Sequence, residues 1–522
     1  MSGITAAVDD APPLEALPPE GMVATSHPRA ADAAAEVLRQ GGNAVDAAVT
    51  AAAVLGVVDP MSTSIGGDCF ALVWDATERA LHGYNGSGRA PKAATLADLK
   101  ARGLHDVPER GILSVTVPGA VDAYATLLER FGKRSFADAL APAIEAAEGF
   151  ALTPIVARDW AKAEPTLTAG EGADVYLPAP IAGQEFRQPA LAASLRAIAE
   201  GGPEVFYRGA LADEIAKRSH ELGGWLTKED LAEHTGEWVT PLEGHYRGHT
   251  VVELPPNGQG IVVLEALALL DEFPLADLSP AERAHLQIEA LKIAFGDAQP
   301  LVGDPEKSNV TALLDPDALE SRVDALEAQK RATEHPAAPR RPAGDTVYVA
   351  VVDGEGNACS LISSVYMHFG SGVVVDGICL QNRGALFFSD PAHPGALAPG
   401  ARPYHTIIPA MVFRSEKPWL VFGVVGGFQQ PQAQVQILVN LIDHGMTPQE
   451  AIDAPRFRWL GSDRIRLEDG FDANAREGLE ARGHRVVDEP VGFGGAQAVL
   501  IESPLEGGSD PRKDGCVRRV KS

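Results

Sequence analysis

Apolar residues recur at helical spacing through the first 300 positions of the chain. An alanine-rich helix is predicted over residues 30–38, stopping at Gly41-Gly42, and a second helix over residues 43–57. The same spacing returns in three later segments, at residues 121–131, 191–200 and 281–295. Because alanine side chains let helices approach closely, we expect the first two helices to form a buried layer in a helix-rich half of the protein.

The pattern changes after residue 328. Residues 328–344 are polar, rich in proline and without apolar periodicity, which predicts an exposed linker. A β-branched and aromatic run at 346–352 then predicts a strand, residues 353–357 supply a turn, and residues 358–366 predict a second strand. The two strands are expected to pair as a hairpin.

The last third of the chain mixes strand and helix patterns. Strands are predicted at residues 419–425, 464–468 and 496–502. A helix is predicted at 432–444, and Thr447-Pro-Gln-Glu450 is a capping box that starts another helix. Because no motif repeats at a fixed period of roughly 20–50 residues, the sequence argues against a solenoid.

Composition and charge narrow the class of protein. The 522 residues are 45% hydrophobic and 22% charged, which is typical of a globular protein with a large core. The net charge of −27 argues against nucleic acids and anionic membranes as partners. Residues 1–345 hold 28 basic and 51 acidic residues, a net −23, whereas residues 346–522 hold 16 and 20, a net −4. Basic residues that serve function must therefore act locally.

The chain lacks the signals of membrane insertion or export. Residues 1–20 carry prolines and acidic residues and are expected to form a disordered leader, without the basic and apolar runs of a signal peptide. The most apolar stretch, residues 47–58, is shorter than the roughly 20 residues of a membrane span. We therefore expect a cytoplasmic protein. Four widely spaced cysteines are predicted to be reduced thiols, namely Cys69, Cys359, Cys379 and Cys516.

Several common catalytic motifs are absent from the sequence. It contains no G-x-S-x-G elbow, no nucleotide-binding glycine loop and no H-E-x-x-H helix. His245 and His249 are four residues apart, but neighbouring proline and glycines oppose a helix there, and no acidic ligand follows at metal spacing. A structural or surface role is therefore favoured for these histidines, and neither a metal nor another cofactor is predicted.

The most informative position is the junction Gly344-Asp345-Thr346, where a threonine opens a strand directly after the linker. A hydroxyl is a weak nucleophile and needs a nearby base with a pKa close to neutrality. If the chain were cut before Thr346, the freed α-amino group, with a pKa of about 7.7–8.0, would be a base on the same residue. The pattern fits an N-terminal nucleophile hydrolase, although a threonine that begins a strand is unremarkable by itself.

Further motifs extend across nearly the whole chain. They are residues 21–28 and 41–48, Gly66-Gly-Asp-Cys-Phe70, Asn85-Gly-Ser-Gly-Arg-Ala-Pro91, Leu254-Pro-Pro-Asn-Gly-Gln-Gly260, Gly303-Asp-Pro305, residues 351–357 and Phe369-Gly-Ser-Gly372. With Thr346 they resemble the γ-glutamyltransferase family of N-terminal nucleophile hydrolases. The resemblance implies an α+β fold, a four-layer αββα sandwich. It also implies a large helix-rich subunit, residues 21–345, and a small catalytic subunit, residues 346–522, which together form one composite domain after self-cleavage.

The resemblance also assigns the catalytic groups. Thr346 Oγ would attack the Asp345 carbonyl to cut the chain, and would then attack substrates with its own α-amino group as the base. Ser364 matches the hydroxyl residue that supports the nucleophile. Gly426 and Gly427 resemble the paired glycines of the oxyanion hole, where backbone N–H groups stabilise the developing negative charge.

The residues that would bind substrate depart from the transpeptidase pattern. Arg89 matches the arginine that binds the substrate carboxylate, and His405-Thr406 replace paired serines. Leu386 stands where transpeptidases carry an acidic residue for the donor's ammonium group, and Arg383 stands where a neutral amide is usual. This pattern is similar to the branch that includes oxamate amidohydrolase. We expect Arg89, Arg383 and His405 to supply local positive charge. Because arginine forks suit carboxylates, the pattern predicts a substrate with a carboxylate and no free ammonium group.

Four functions follow from these residues and the resemblance. The first is a self-processing amidohydrolase for a small carboxylate-bearing amide, either oxamate-like or an acyl amide. The second is a γ-glutamyltransferase or glutathione hydrolase, and the third is a glutaryl-β-lactam acylase. The fourth is an unprocessed, inactive binding protein on the same fold. In the processed forms the two subunits would make a heterodimer, or a dimer of heterodimers.

Overall fold

A computed structural model describes the chain in three stretches, residues 20–169, 172–328 and 345–521. Most of the predicted leader, residues 1–20, and of the predicted linker, residues 328–345, lies outside these stretches. Only the ends of these two predicted segments fall within the described residues. Glu20 opens a strand, Ala328 closes a helix and Asp345 opens a strand.

Runs of helices and runs of strands follow one another along the described residues, and both are numbered in chain order. The α-helices are α1 (Pro28–Arg39), α2 (Ala44–Val58), α3 (Leu96–Ala101), α4 (Ala120–Phe131), α5 (Phe136–Glu148), α6 (Pro154–Ala169), α7 (Ala173–Tyr176), α8 (Pro189–Gly201), α9 (Pro203–Tyr207), α10 (Ala210–Glu221), α11 (Lys228–Ala232), α12 (Gly260–Leu270), α13 (Pro280–Ala298), α14 (Pro316–Ala328), α15 (Gln429–Ile442), α16 (Pro448–Asp453) and α17 (Ala473–Ala481). Short 3-10 helices cover Ile112–Ser114, Leu275–Asp277, Thr311–Leu314 and Arg383–Leu386.

The strands are β1 (Glu20–Thr25), β2 (Asp68–Asp75), β3 (Ala80–Gly86), β4 (Phe150–Ala151), β5 (Glu185–Phe186), β6 (Glu237–Val239), β7 (Leu242–Tyr246), β8 (His249–Glu253), β9 (Asp345–Val352), β10 (Ala358–Tyr366), β11 (Val374–Val375), β12 (Ile378–Cys379), β13 (Ala410–Arg414), β14 (Lys417–Val425), β15 (Phe457–Gly461), β16 (Arg464–Leu467), β17 (Arg485–Val486), β18 (Gly495–Leu500), β19 (Glu506–Ser509) and β20 (Cys516–Lys521). The helices and strands predicted from periodicity are confirmed, with ends that differ by at most three residues.

Local capping explains where several helices begin. The Asn43 side chain accepts the backbone N–H groups of Val45 and Asp46, and the Asp46 carboxylate accepts the Asn43 N–H at 2.9 Å. The predicted capping box of Thr447 and Glu450 forms in the same way at the start of α16. Every residue of α2 is buried, as its alanine content predicts.

Two antiparallel sheets organise the described residues. One has seven strands in the order β20-β1-β9-β10-β2-β3-β6, and the other has six in the order β19-β18-β14-β13-β8-β7. Each sheet contains strands from before and after residue 345. The two segments of the chain therefore share both sheets.

Alternating side chains of β9 show how the sheets are packed. Val347, Val349 and Val351 point into a cluster with α1, α2, α4 and α5. Tyr348 and Ala350 point the other way, into a cluster with residues of β8, β14 and β18 from the second sheet. The far side of the second sheet packs against α12, α13 and α15. Successive side chains of β9 therefore belong to two different hydrophobic clusters.

The predicted hairpin of β9 and β10 forms, and it contains a bulge beside Thr346. Val347 pairs with Ser363, and Asp345 pairs with Tyr366, so that β10 has two residues where β9 has one. A bulge of this kind bends the strand and changes the direction of its side chains. It brings the end of β10 around the proposed nucleophile.

None of the described helices combines the length and apolar character needed to cross a bilayer. All four cysteines are free thiols, as predicted. His245 and His249 lie on the paired strands β7 and β8 and not on a helix, as the neighbouring glycines and proline indicated.

Candidate functional site

Thr346 is buried beside Ser364. The threonine is 1% exposed, and its Oγ1 donates a hydrogen bond to Ser364 Oγ at 3.2 Å. The same serine oxygen accepts the backbone N–H of Tyr366 at 2.8 Å, which fixes the serine in the bulge of β10. The structure therefore brings together the predicted nucleophile and its predicted supporting hydroxyl.

Gly426 and Gly427 follow directly after β14, on the sheet that faces Thr346. Their φ angles of 123° and 62° lie in the left-handed region that favours glycine. A Cβ on Gly423 would lie 2.4 Å from the Tyr348 ring, so β14 passes very close to β9 two residues beyond Thr346. The glycine pair thus lies at the end of a strand packed against the strand of the nucleophile.

Gln259 ties the glycine pair to the predicted substrate-binding segment. Its Nε2 donates to the Thr406 carbonyl at 2.8 Å and to the Gly427 carbonyl at 3.1 Å. Its Oε1 accepts the Tyr404 hydroxyl at 3.1 Å. Since this side chain is fully buried, it holds the backbone of both segments in register.

Arg383 is a buried cation with an unused edge. Its Nη1 donates to Thr406 Oγ1 at 2.9 Å, and its guanidinium lies over the Tyr366 ring at 4.8 Å. Its Nε and Nη2 make no hydrogen bond with the described residues, and Asp68 Oδ2 is 4.0 Å from Nε. Burial lowers the pKa of Arg383 to about 10, so the side chain stays charged at neutral pH. An N–H fork of this kind can bind one carboxylate through two hydrogen bonds.

His405 is neutral and paired with Asp68. Its Nδ1 accepts the Ile407 N–H at 3.3 Å, which leaves Nε2 to donate to Asp68 Oδ2 at 3.0 Å. Burial and the Arg383 cation lower the pKa of His405 to about 3. The positive charge of the predicted pocket therefore comes from its arginines, and the sequence-based treatment of His405 as a local cation is not supported.

Asp68 is the centre of this buried group. Its Oδ1 accepts the Gly88 N–H at 3.0 Å and Gln381 Nε2 at 2.9 Å, while Oδ2 faces His405 and Arg383. These contacts bring three segments that are distant in sequence to one point. Asp68 also compensates the buried charge of Arg383.

Arg89 lies next to this group but is already paired. Its Nη1 donates to the Gly400 carbonyl at 3.1 Å, and its Nη2 bonds to the Glu237 carboxylate. The other oxygen of Glu237 lies 2.8 Å from Nη1 of Arg402, which is fully buried. The predicted carboxylate-binding arginine is therefore connected to the site through Gly88 and Asp68, and it holds a carboxylate of the chain itself.

Leu386 is buried, 5% exposed, at the end of the 3-10 helix that begins with Arg383. It packs in the cluster that contains Tyr366 and Met367. The position at which transpeptidases carry an acidic residue is therefore part of an apolar wall near Arg383.

Sequence reasoning missed four residues that shape the site. Asp68 and Gln259 stand inside motifs that the resemblance had already selected, and Arg402 lies three residues before His405, so the polar character of these positions was an available signal. Glu237 lies outside every such motif. Its contact with Arg89 joins positions 148 residues apart, and no local pattern reveals such a pair.

One group of potential metal ligands is found among the described residues, at His285, Glu289 and His484. The Lys292 ammonium lies 2.7 Å from Glu289 Oε1, and the two imidazoles are joined at 2.8 Å. A divalent ion would add uncompensated positive charge to a carboxylate that a buried lysine already neutralises. We therefore assign this group to the packing of α13 against the segment after α17.

Comparison with known proteins adds the following. Residues 30–520 match the family model described as Gamma-glutamyltranspeptidase. The "Glutathione hydrolase-like YwrD proenzyme" of Bacillus subtilis is 38% identical, over 95% of this chain and 98% of that protein. The "Oxamate amidohydrolase proenzyme" of Klebsiella pneumoniae is 36% identical, over 95% and 98%. Among solved structures, a cephalosporin acylase from Bacillus halodurans is similar with a TM-score of 0.90 and 42% identity, over 99% of both chains.

Proposed function

Because the chain belongs to the gamma-glutamyltranspeptidase family of enzymes, we propose that it is a self-processing amidohydrolase for a small carboxylate-bearing amide, acting through an acyl-enzyme on Thr346. The observation that carries the proposal is the free edge of Arg383, buried beside the residues that hold Thr346. The expected substrate is oxamate-like or a short acyl amide with one carboxylate.

Self-processing begins within the chain. Thr346 Oγ attacks the carbonyl carbon of Asp345, the Asp345–Thr346 peptide bond breaks, and the aspartyl group is left as an ester on the threonine. Water then hydrolyses this ester and releases the new carboxyl end at Asp345. The α-amino group of Thr346 becomes free, and with it a base of near-neutral pKa on the nucleophile's own residue.

Substrate hydrolysis reuses the same hydroxyl. The α-amino group takes the proton of Thr346 Oγ as the oxygen attacks the substrate carbonyl, and backbone N–H groups at Gly426-Gly427 stabilise the oxyanion. The proton passes to the leaving nitrogen, which departs as ammonia or an amine. Water then opens the acyl ester, and the threonine is restored. Ser364, bonded to Oγ at 3.2 Å, orients the nucleophile.

The surroundings of Arg383 support the choice of substrate. Nε and Nη2 of Arg383 make no hydrogen bond with the described residues, so a substrate carboxylate could accept charge-assisted hydrogen bonds there, next to Asp68 Oδ2 at 4.0 Å from Nε. Leu386 offers no partner for an ammonium group, so an α-amino substituent would lose its hydration without compensation. The relative from Klebsiella pneumoniae is named as an oxamate amidohydrolase, which agrees with this substrate class.

A substrate panel tests the proposal. We expect kcat/KM for ammonia release from oxamate or a short acyl amide to exceed that for a γ-glutamyl anilide by about tenfold or more. Arg383→Gln should remove most of this preference by raising KM for the carboxylate-bearing amide. Strong preference for the γ-glutamyl donor, with transfer to dipeptide acceptors, would favour a γ-glutamyltransferase instead.

A second candidate is an acylase for glutaryl-type amides, whose carboxylate lies at the far end of the acyl chain. The similarity to the Bacillus halodurans cephalosporin acylase favours this second candidate. A glutaryl group also lacks an amino group. Such a substrate would need an anion site other than Arg383, and Arg89 with Arg402 forms one that Glu237 fills.

From the same family membership we also propose how the subunits and layers of the protein are organised. After cleavage, residues 21–345 and 346–522 would stay together as a heterodimer, or as a dimer of heterodimers, in a four-layer αββα sandwich. Shared sheets support this, because each contains strands from both segments and a cut at residue 345 would leave them paired. A cytoplasmic location and the absence of nucleic-acid and membrane partners remain predictions from composition.

A further inference from the structure

A single carboxylate lies between two arginines beside the candidate site. Glu237 pairs with Nη2 of Arg89 and, at 2.8 Å, with Nη1 of Arg402. The Arg402 side chain is fully buried, while those of Arg89 and Glu237 are 32% and 38% exposed. The arginines thus form an anion site that is filled by the chain itself and can be reached from solvent.

The backbone around these groups fixes their arrangement. Glu237 opens β6 opposite Asn85 of β3, four residues before Arg89. The Arg402 guanidinium is held by the Ser87 carbonyl, to which its Nε donates at 3.0 Å. Because strand pairing and a buried hydrogen bond hold the partners, the contact is part of the fold and not a chance meeting of long side chains.

The filled anion site and the free edge of Arg383 belong to one polar network. Arg383 contacts Tyr366, which holds Ser364 and so lies close to the nucleophile. Arg89 connects to the same group through the neighbouring Gly88 N–H, which donates to Asp68. A carboxylate that binds Arg383 would find Nε and Nη2 without hydrogen bonds to the described residues, whereas one that binds Arg89 or Arg402 would meet guanidinium groups already paired with Glu237.

We infer that Glu237 is a specificity-determining residue, which fills the anion site of Arg89 and Arg402 and so restricts the enzyme to amides whose single carboxylate binds Arg383. The inference rests on the proposed function and deepens it. A glutaryl-type substrate would have to displace Glu237 and separate it from a buried arginine, at the cost of most of its own binding energy.

Glu237→Gln tests the inference, because glutamine keeps the shape and one acceptor oxygen but removes the negative charge. Calorimetry with glutarate should show about a tenfold or greater gain in affinity over the native protein. KM for a glutaryl amide should fall by a similar factor, which narrows the preference for oxamate over the glutaryl amide. Glu233→Gln is the matched control, since Glu233 pairs with exposed Lys92 and should leave both the glutarate affinity and the KM for the glutaryl amide unchanged.

Unchanged glutarate affinity in folded Glu237→Gln protein would overturn the inference, as would an equal gain in Glu233→Gln. If Glu237→Gln does not fold, Glu237→Asp keeps the charge on a shorter arm and should show a smaller gain, and no gain there would also overturn it. Glutarate binding requires no turnover. A gain in binding without hydrolysis of any amide would therefore support the role of Glu237 while counting against the proposed function.

Discussion

Ser364 connects the backbone of the hairpin to the hydroxyl of Thr346. Its oxygen accepts from Tyr366 N–H and from Thr346 Oγ1, so the position of the nucleophile depends on a bulge in the neighbouring strand. This contact acts on the orientation of the attacking oxygen. It should therefore affect the rate of chemistry more than the binding of substrate.

Ser364→Ala should slow both self-cleavage and hydrolysis, lowering kcat by roughly 10- to 100-fold with KM changed little. Single-turnover rates of processing and steady-state kinetics on a short acyl amide measure the two effects. Ser360→Ala is the control, because Ser360 lies on the same strand but bonds to Tyr348. Equal activity of native and Ser364→Ala protein would contradict the role assigned to Ser364.

The role of a single residue could be predicted where a local motif marks it, but not where the role depends on contacts that form only in the fold. Thr346, Ser364, Arg383 and the glycine pair stand in local motifs, and the sequence could select them. The bridge through Glu237 joins strands that meet only in the fold, and the neutral state of His405 depends on burial beside Arg383. Neither property follows from a local pattern.

The end of β14 is the element on which the proposed oxyanion site depends. Gly426 has a φ of 123°, and a Cβ there would approach the Gly494 backbone to 3.1 Å. A side chain would shift the turn that carries the Gly426 and Gly427 N–H groups. Hydrogen-bond donors misplaced by even a fraction of an ångström stabilise an oxyanion poorly.

Gly426→Ala should therefore lower kcat by about 100-fold or more, and destabilise the fold by about 1–3 kcal/mol through backbone strain. Kinetics together with denaturant unfolding separate the two effects. Gly445→Ala is a control for a positive φ alone, since Gly445 has a φ of 60° but no atom of the described residues within 4 Å of its Cβ position. It should lose stability and keep kcat, and a similar loss of kcat in both variants would argue against an oxyanion role for Gly426.

Elements with a strong internal period were predictable to within a few residues. The alanine-rich helices, the hairpin and the capping box of α16 are each predicted by a pattern that lies within about ten neighbouring residues. The order of strands in the sheets and the bulge beside Thr346 are set by pairings across the whole chain. Periodicity gives no information about such pairings.

Across the whole molecule, burial holds several histidines in the neutral state. It lowers the pKa of His27 and His234 to about 4 and that of His405 to about 3, from an ordinary value of 6.5. Between pH 6.5 and 4 the unfolded chain therefore binds protons that the folded chain does not. The stabilisation is complete above pH 6.5 and is lost as the pH falls through this window.

We expect the free energy of unfolding of Thr346→Ala protein, which stays a single chain, to fall between pH 7 and pH 5. Each neutral histidine contributes at most about 1.4 kcal/mol per pH unit. His27→Asn should reduce the slope, because asparagine keeps the cap of α1 but does not titrate. Exposed His105→Asn should leave the slope unchanged. Stability that does not vary over this range would contradict the assignment of these histidines as buried and neutral.

The central claim is that Thr346 becomes the new N-terminus of a processed enzyme. Intact-mass measurement and N-terminal sequencing of the purified protein test it most directly. The 54.9 kDa chain should yield fragments of about 36 and 19 kDa, the smaller beginning Thr-Val-Tyr-Val, and Thr346→Ala should remain uncut. An active enzyme that stays a single chain, or a small fragment that begins at another residue, would contradict the account.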